Sequence, residues 1–102
     1  MLVEMKSIKK FYFVNAIEMH KQHPYSFSIP TSQDIAHLKI GDFVKICNDS
    51  ERFWVIIQSI DIKTGQMTGM IDNDLIGNPG YDYGDVILFH RKNIYDLHFR
   101  ID

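Results

Sequence analysis

The sequence predicts an α+β domain: a small, strongly bent five-stranded antiparallel sheet or SH3-like barrel with one or two short N-terminal helices. Three observations predict it. Two Gly-Asp corners, Gly41-Asp42 and Gly84-Asp85, each open directly into a β-branched, aromatic run, Phe43 to Ile46 and Val86 to Phe89. Between them lies the longest apolar segment, Phe53-Trp54-Val55-Ile56-Ile57, home of the only tryptophan. The polar and Gly-rich stretches at Asn48-Asp49-Ser50, Lys63-Thr64-Gly65 and Asn73 to Gly84 then fall at the spacing of hairpin turns in a meander. Glycine supplies the positive φ of each corner, and aspartate bonds to the local backbone.

Each element has its own signal. Phe11, Tyr12 and Phe13 read as extended and partly buried. Asn15 caps a helix over residues 16–22, with Glu18 completing a capping box, Val14 stapling against Met19, and Pro24 ending it. A helix this short depends on docking its Ile17 side. Tyr25-Ser26-Phe27-Ser28-Ile29 alternates apolar and polar residues between Pro24 and Pro30, the pattern of an edge strand. Thr31-Ser32-Gln33-Asp34 opens a second helix of one or two turns, with Ile35 and Leu38 on one side, ending near Gly41.

Asp42 to Cys47 starts the meander. Arg52 to Ile62 follows, with Phe53, Val55 and Ile57 on one face and Trp54 and Ile56 on the other. Apolar residues on both faces predict a central strand covered on both sides, and so a core position for Trp54. Gln66 to Asp72 returns, with Gly69 marking a bulge or bend. Val86 to Phe89 is the last strand, and residues 93–97 read as a closing helical turn. Strand connectivity is not legible, so an OB-like barrel stands as the alternative.

The 102 residues make one domain: an N-terminal extension with a short helix (1–23) and a β-rich core (25–97). Apolar residues at 45% and charged residues at 24% are those of a globular protein rather than a disordered one. The net charge of −2 argues against gripping phosphate backbones, despite a small basic cluster at Lys6, Lys9 and Lys10. One cysteine, Cys47, forms no internal disulfide, which fits a reducing compartment. No apolar run approaches the ~20 residues of a membrane span. The N-terminus lacks the basic-then-apolar order of a secretory signal. The expected location is cytoplasmic, with export by a route that reads no N-terminal signal left open.

Motifs with chemical potential resolve into structural ones. Asp72-Asn73-Asp74-Leu75-Ile76-Gly77 begins like a calcium loop, but Ile76 stands where a fifth-position oxygen belongs and Tyr83 where the bidentate glutamate belongs. His20 and His23 share a helix face but have no evident companion ligands. Cys47 ends a strand, where free cysteine acts as a small apolar residue, and no acid or base accompanies it. We expect no catalytic residue, metal or cofactor. The ligand-binding candidates are Asn73, Asp74, Tyr81 and Tyr83, on the Gly-rich loop. The expected function is a non-enzymatic module for a protein or peptide partner, with a homodimer through the Tyr25–Ile29 edge as one form of it. The alternative is RNA or single-stranded DNA on a barrel face, using exposed aromatics with Lys6, Lys9, Lys10, Lys45 and Arg52. Asp42, Asp72, Asp74, Asp82 and Asp85 oppose that reading by repelling a phosphate backbone.

The run from Tyr25 to Leu97 also resembles an uncharacterised bacterial domain family of unknown function. The resemblance rests on Gly41-Asp42-x-Val44-Lys45, Glu51-Arg52-Phe53-Trp54-Val55, Gly69, Asp72-Asn73-Asp74, Tyr83-Gly84-Asp85-x-Ile87-x-Phe89 and Ile94. Asn15-Ala16-Ile17 is similar to the family's leading helix. The chain departs from the pattern at its long N-terminus and at Leu75, where members commonly place proline. The resemblance implies a compact SH3-like or related barrel with a helical decoration, and it carries no activity to transfer.

Overall fold

Backbone partners in this computed structural model, which describes residues 8–101, are decided mainly by one meander. Its strands are β2 (Phe43–Cys47), β3 (Arg52–Ile60), β4 (Gln66–Ile71) and β5 (Val86–His90), each antiparallel to the next. Two short strands complete the sheet. β1 (Lys9–Lys10) runs parallel to β5, and β6 (Asp96–His98) runs antiparallel to β2. The order is β1-β5-β4-β3-β2-β6, so β1 and β6 are the two edges of an open sheet, and residues 52–72 do form the expected hairpin.

The helices follow their caps. Asn15 Oδ1 accepts the Glu18 N–H at 3.1 Å, and α1 (Ala16–Gln22) begins there. Glu18 turns its carboxylate to Lys21 at 3.5 Å. Thr31 Oγ1 accepts the Asp34 N–H at 3.1 Å and opens α2 (Ser32–Ala36).

The predicted edge strand at Tyr25–Ile29 does not form, which removes the proposed edge for pairing two copies. Past the end of α1 the chain folds back on itself. The N–H groups of Ser26 and Phe27 donate to the His23 carbonyl at 3.2 and 2.9 Å, and the His20 ring takes the Phe27 carbonyl at 2.7 Å. These bonds take up two N–H groups and one carbonyl that a strand would offer a partner. Phe27 is buried while Tyr25 is fully exposed, so the alternation there records one anchor rather than a pleat. At the other end, residues 91–93 form a 3-10 turn and β6 follows, in place of a helical turn over 93–97.

Alternation along the strands divides the sheet into two faces. The inner face carries Val44, Ile46, Phe53, Val55, Ile57, Met67, Ile71, Ile87 and Phe89, all buried. It is covered from outside the sheet by Phe13, Leu38, Tyr81 and Ile94. A register shift between Ile57 and Ser59 bends β3 opposite Gly69. A Cβ on Gly69 would stand 2.3 Å from Val55 Cγ1 and 2.7 Å from the Ile56 carbonyl oxygen, so the bend needs glycine there. The outer face carries Phe43, Trp54, Ile56, Met70, Val86 and Leu88, all half-buried and in neither of the two buried clusters. Trp54 is therefore no core residue: nothing in the inner cluster reaches its side of β3, and Lys45 Nζ lies 5.4 Å from its ring centre.

Asn93, buried between the sheet and the N-terminal segment, joins the two. Its amide donates to the Phe13 and Val14 carbonyls at 3.3 and 3.1 Å, and its Oδ1 accepts the His90 N–H at 2.8 Å. With Val14 N–H donating to the Cys47 carbonyl at 2.9 Å, these bonds seat α1 beside the 3-10 turn. That seating frames a cleft.

Candidate functional site

The expected ligand loop is held by its own polar groups. Asn73 Oδ1 accepts the Trp54 N–H at 2.5 Å, which takes up its acceptor inside the fold. Both Glu51 oxygens accept N–H groups of Ile76 and Gly77, at 3.1 and 2.9 Å. Asp82 Oδ1 accepts from Leu75 and Tyr83, and these two N–H groups hold its carboxyl below the usual range. Tyr81 is buried rather than displayed. Its ring packs on Phe13 and Phe53, its hydroxyl accepts from Asn48 Nδ2 at 2.9 Å, and burial raises its pKa against that bond. Asp74 and Tyr83 are exposed. The four candidates thus divide into two structural residues and two surface residues. The hollow that Tyr81 lines, with Phe11, Tyr12, Asn48 and Glu51, includes none of the other three.

Other chemistry-bearing side chains are likewise occupied. Cys47 is buried beside Ala16, Phe27 and Tyr95, and burial raises its thiol pKa, with Arg52 pulling the other way. That favours the protonated, unreactive form. Among the described residues, no three of His, Cys, Asp and Glu come together to hold a metal ion. No described helix is long and apolar enough to cross a membrane.

The concave feature that stands out is apolar, with a volume of about 680 Å³, inside the ~300–1,000 Å³ span of ligand pockets. Three pieces of chain build it. The stretch after α1 and α2 itself contribute Ile29, Ile35 and Leu38. The far end of the β3–β4 hairpin contributes Ile60, Ile62 and Met67, and the 3-10 turn contributes Arg91, Lys92 and Ile94. Ile17 of α1 closes one side. It was expected to dock α1, yet it is 42% exposed, and the buried contact of the helix is Ala16 instead. Ile62 is 85% exposed at the rim.

The hairpin end is rigid for a local reason. Asp61 Oδ1 accepts the N–H groups of Lys63 and Thr64, and Gly65 closes the turn at φ +81. The imidazole of His90 reaches the Thr64 carbonyl at 2.7 Å, and Arg91 N–H donates to the Gly65 carbonyl at 2.9 Å. A Cβ on Gly65 would lie 2.8 Å from His90 Nε2 and 2.9 Å from Arg91 Nε, so these two side chains pack where a larger residue would stand.

Motif reading missed this site because its residues come from four separate parts of the chain, none of which marks a cleft by itself. The available signal was Ile62, a large apolar residue inside a turn and next to Lys63, where hairpin chemistry has no use for it. Comparison with protein-family models, with curated proteins and with solved structures returned no match.

Proposed function

We propose that the chain is a non-enzymatic binding module whose partner is a protein or peptide that inserts apolar side chains into the cleft between α2, the β3–β4 hairpin and the 3-10 turn. The observation that carries this is the exposed apolar lining: Ile17 and Ile62 remain open to water beside the half-buried Ile29 and Ile35 in one concavity. Burying such side chains is worth roughly 25 cal/mol per Å² of apolar surface removed from water. Membership of the uncharacterised bacterial family, and kinship of the β2–β5 meander with SH3-like barrels, belong to the same proposal.

Nucleic acid on the outer sheet face is the weaker reading. On that face Lys45 Nζ lies 5.4 Å from the Trp54 ring centre, and Lys45 and Arg52 also approach the buried Tyr95 and Phe27 rings at 5.0 to 5.9 Å. A stacking base would have to displace Lys45. Lys6 lies outside the described residues.

Titrating isotopically labelled protein with a short leucine- and phenylalanine-bearing peptide, and separately with a mixed oligonucleotide, tests the choice. The peptide is expected to move amide signals of residues 29–38, 60–67 and 90–94. Ile62→Asp, at an exposed position, should keep the fold and weaken binding by roughly tenfold or more, as for a truncated interface anchor. Peptide shifts confined to Trp54, Ile56 and Met70, or oligonucleotide shifts there without any peptide response, would overturn the reading.

A further inference from the structure

We infer that the segment this cleft accepts is amphipathic and acidic, with apolar side chains on Ile35, Ile60 and Ile62 and a carboxylate beside them meeting Arg91 and Lys92. The inference rests on the cleft being the binding site and goes further by naming the chemistry of its occupant.

Charge is what selects it. Arg91 and Lys92 are exposed at one end of the cleft, and neither has an acidic partner among the described residues. Among the described residues the only carboxylate lining the cleft is Asp61, and one of its oxygens already closes the hairpin turn through Lys63 and Thr64. The chain as a whole carries −2, so this basic end is a local arrangement and not a reflection of general composition. It adjoins apolar lining, which separates it from a plain basic patch: a ligand that satisfies both must carry hydrophobic and acidic groups together.

The basic end is also preorganised. Arg91 follows a backbone bond to Gly65, and its Nε lies against that glycine, so part of its rotamer freedom is already spent before binding. Less ordering of a long side chain then remains to be done in the complex. A guanidinium in that position offers a carboxylate two parallel N–H donors, which an ammonium cannot match.

Three short synthetic amphipathic peptides with identical leucine anchors, flanked by glutamate, glutamine or lysine, make the test on the intact chain. Fluorescence anisotropy at low salt should rank glutamate first, about tenfold tighter than lysine, with the gap shrinking as ionic strength rises. Arg91→Glu combined with Lys92→Glu should invert the ranking in favour of the lysine peptide. Lys92→Glu alone should move it in the same direction, and it tests the idea independently should the double variant fold poorly. If all three peptides shift the cleft signals with equal affinity in wild type and variants, the acidic preference is wrong while the cleft stands as the site. If none shifts cleft signals, the site and the preference fall together.

Discussion

The two faces of the sheet are built from the same kinds of residue and end in different environments. On β3, Phe53, Val55 and Ile57 are at most 1% exposed, whereas Trp54 and Ile56, one residue away on the same strand, stay half-buried. Across the outer face Phe43 pairs with Ile56, Ile56 with Met70 and Met70 with Val86, an apolar row over four strands. The inner face differs only in what lies over it: Phe13 from before α1, Leu38 from after α2, Tyr81 from the long loop and Ile94 from the 3-10 turn. Alternation assigns residues to faces, but segments remote in sequence decide which face becomes a core.

The sharpest way to break that comparison is to truncate both aromatics of one strand. Phe53→Ala removes a ring that contacts Phe13 and Tyr81 from the centre of the inner cluster. It should cost about 3–5 kcal/mol, read from the urea midpoint, through lost burial and the cavity left behind. Against a typical margin of roughly 5–15 kcal/mol, that leaves a marginal fold. A loss near 1 kcal/mol would mean that the inner face is not the core.

Legibility in the sequence follows the same division. The meander, both helix caps, the Lys63-Thr64-Gly65 hairpin and the bend opposite Gly69 were readable because each depends on residues close in sequence. Tyr25–Ile29 was misread because its period of two was real, while the backbone bonds that decided its conformation ran back to His20 and His23. β1 and β6 were missed because two and three residues pairing at sheet edges leave no periodic trace. The placement of Trp54 failed for a third reason: a β-strand with apolar residues on both sides is equally consistent with a covered face and an open one. The cleft depends on four elements meeting, and no single stretch announces it.

Trp54→Ala is the counterpart on the outer face, and its effect should be much smaller. The side chain is half-buried and its identified partner is the Lys45 ammonium, a contact worth about 0.5–1 kcal/mol at an exposed site. Its backbone N–H keeps Asn73 whatever the side chain, so the loop anchor survives the substitution. The expected loss is about 1 kcal/mol, and native emission should be quenched by iodide well before unfolding. A loss matching that of Phe53→Ala, or a blue-shifted emission that iodide cannot reach, would show that the outer face is covered after all.

The smallest effect at neutral pH should come from Tyr95, in the second cluster, where Cys47, at the end of β2 and on the outer side by alternation with Phe43 and Lys45, is buried with Ala16 and Phe27. The Tyr95 ring packs on Phe27 at 5.6 Å, and its buried hydroxyl has no hydrogen-bond partner of good geometry among the described residues, although the Arg52 guanidinium lies over the ring at 5.0 Å. Tyr95→Phe keeps the ring and deletes that orphan, so stability at pH 7 should stay within about 1 kcal/mol of wild type, and on the favourable side. Burial pushes the hydroxyl up from 10.0 to about 12, with the Arg52 cation pulling it back. Below pH 10 the hydroxyl is protonated in both states. Between pH 10 and 12 the unfolded chain ionises first, so wild type loses stability across that window as pH rises. Tyr95→Phe has no hydroxyl to ionise, and its urea midpoint should fall less steeply over the same range. Parallel curves from pH 9 to 12 would mean that Tyr95 titrates like a solvent-exposed phenol, and that the second cluster does not close over the sheet.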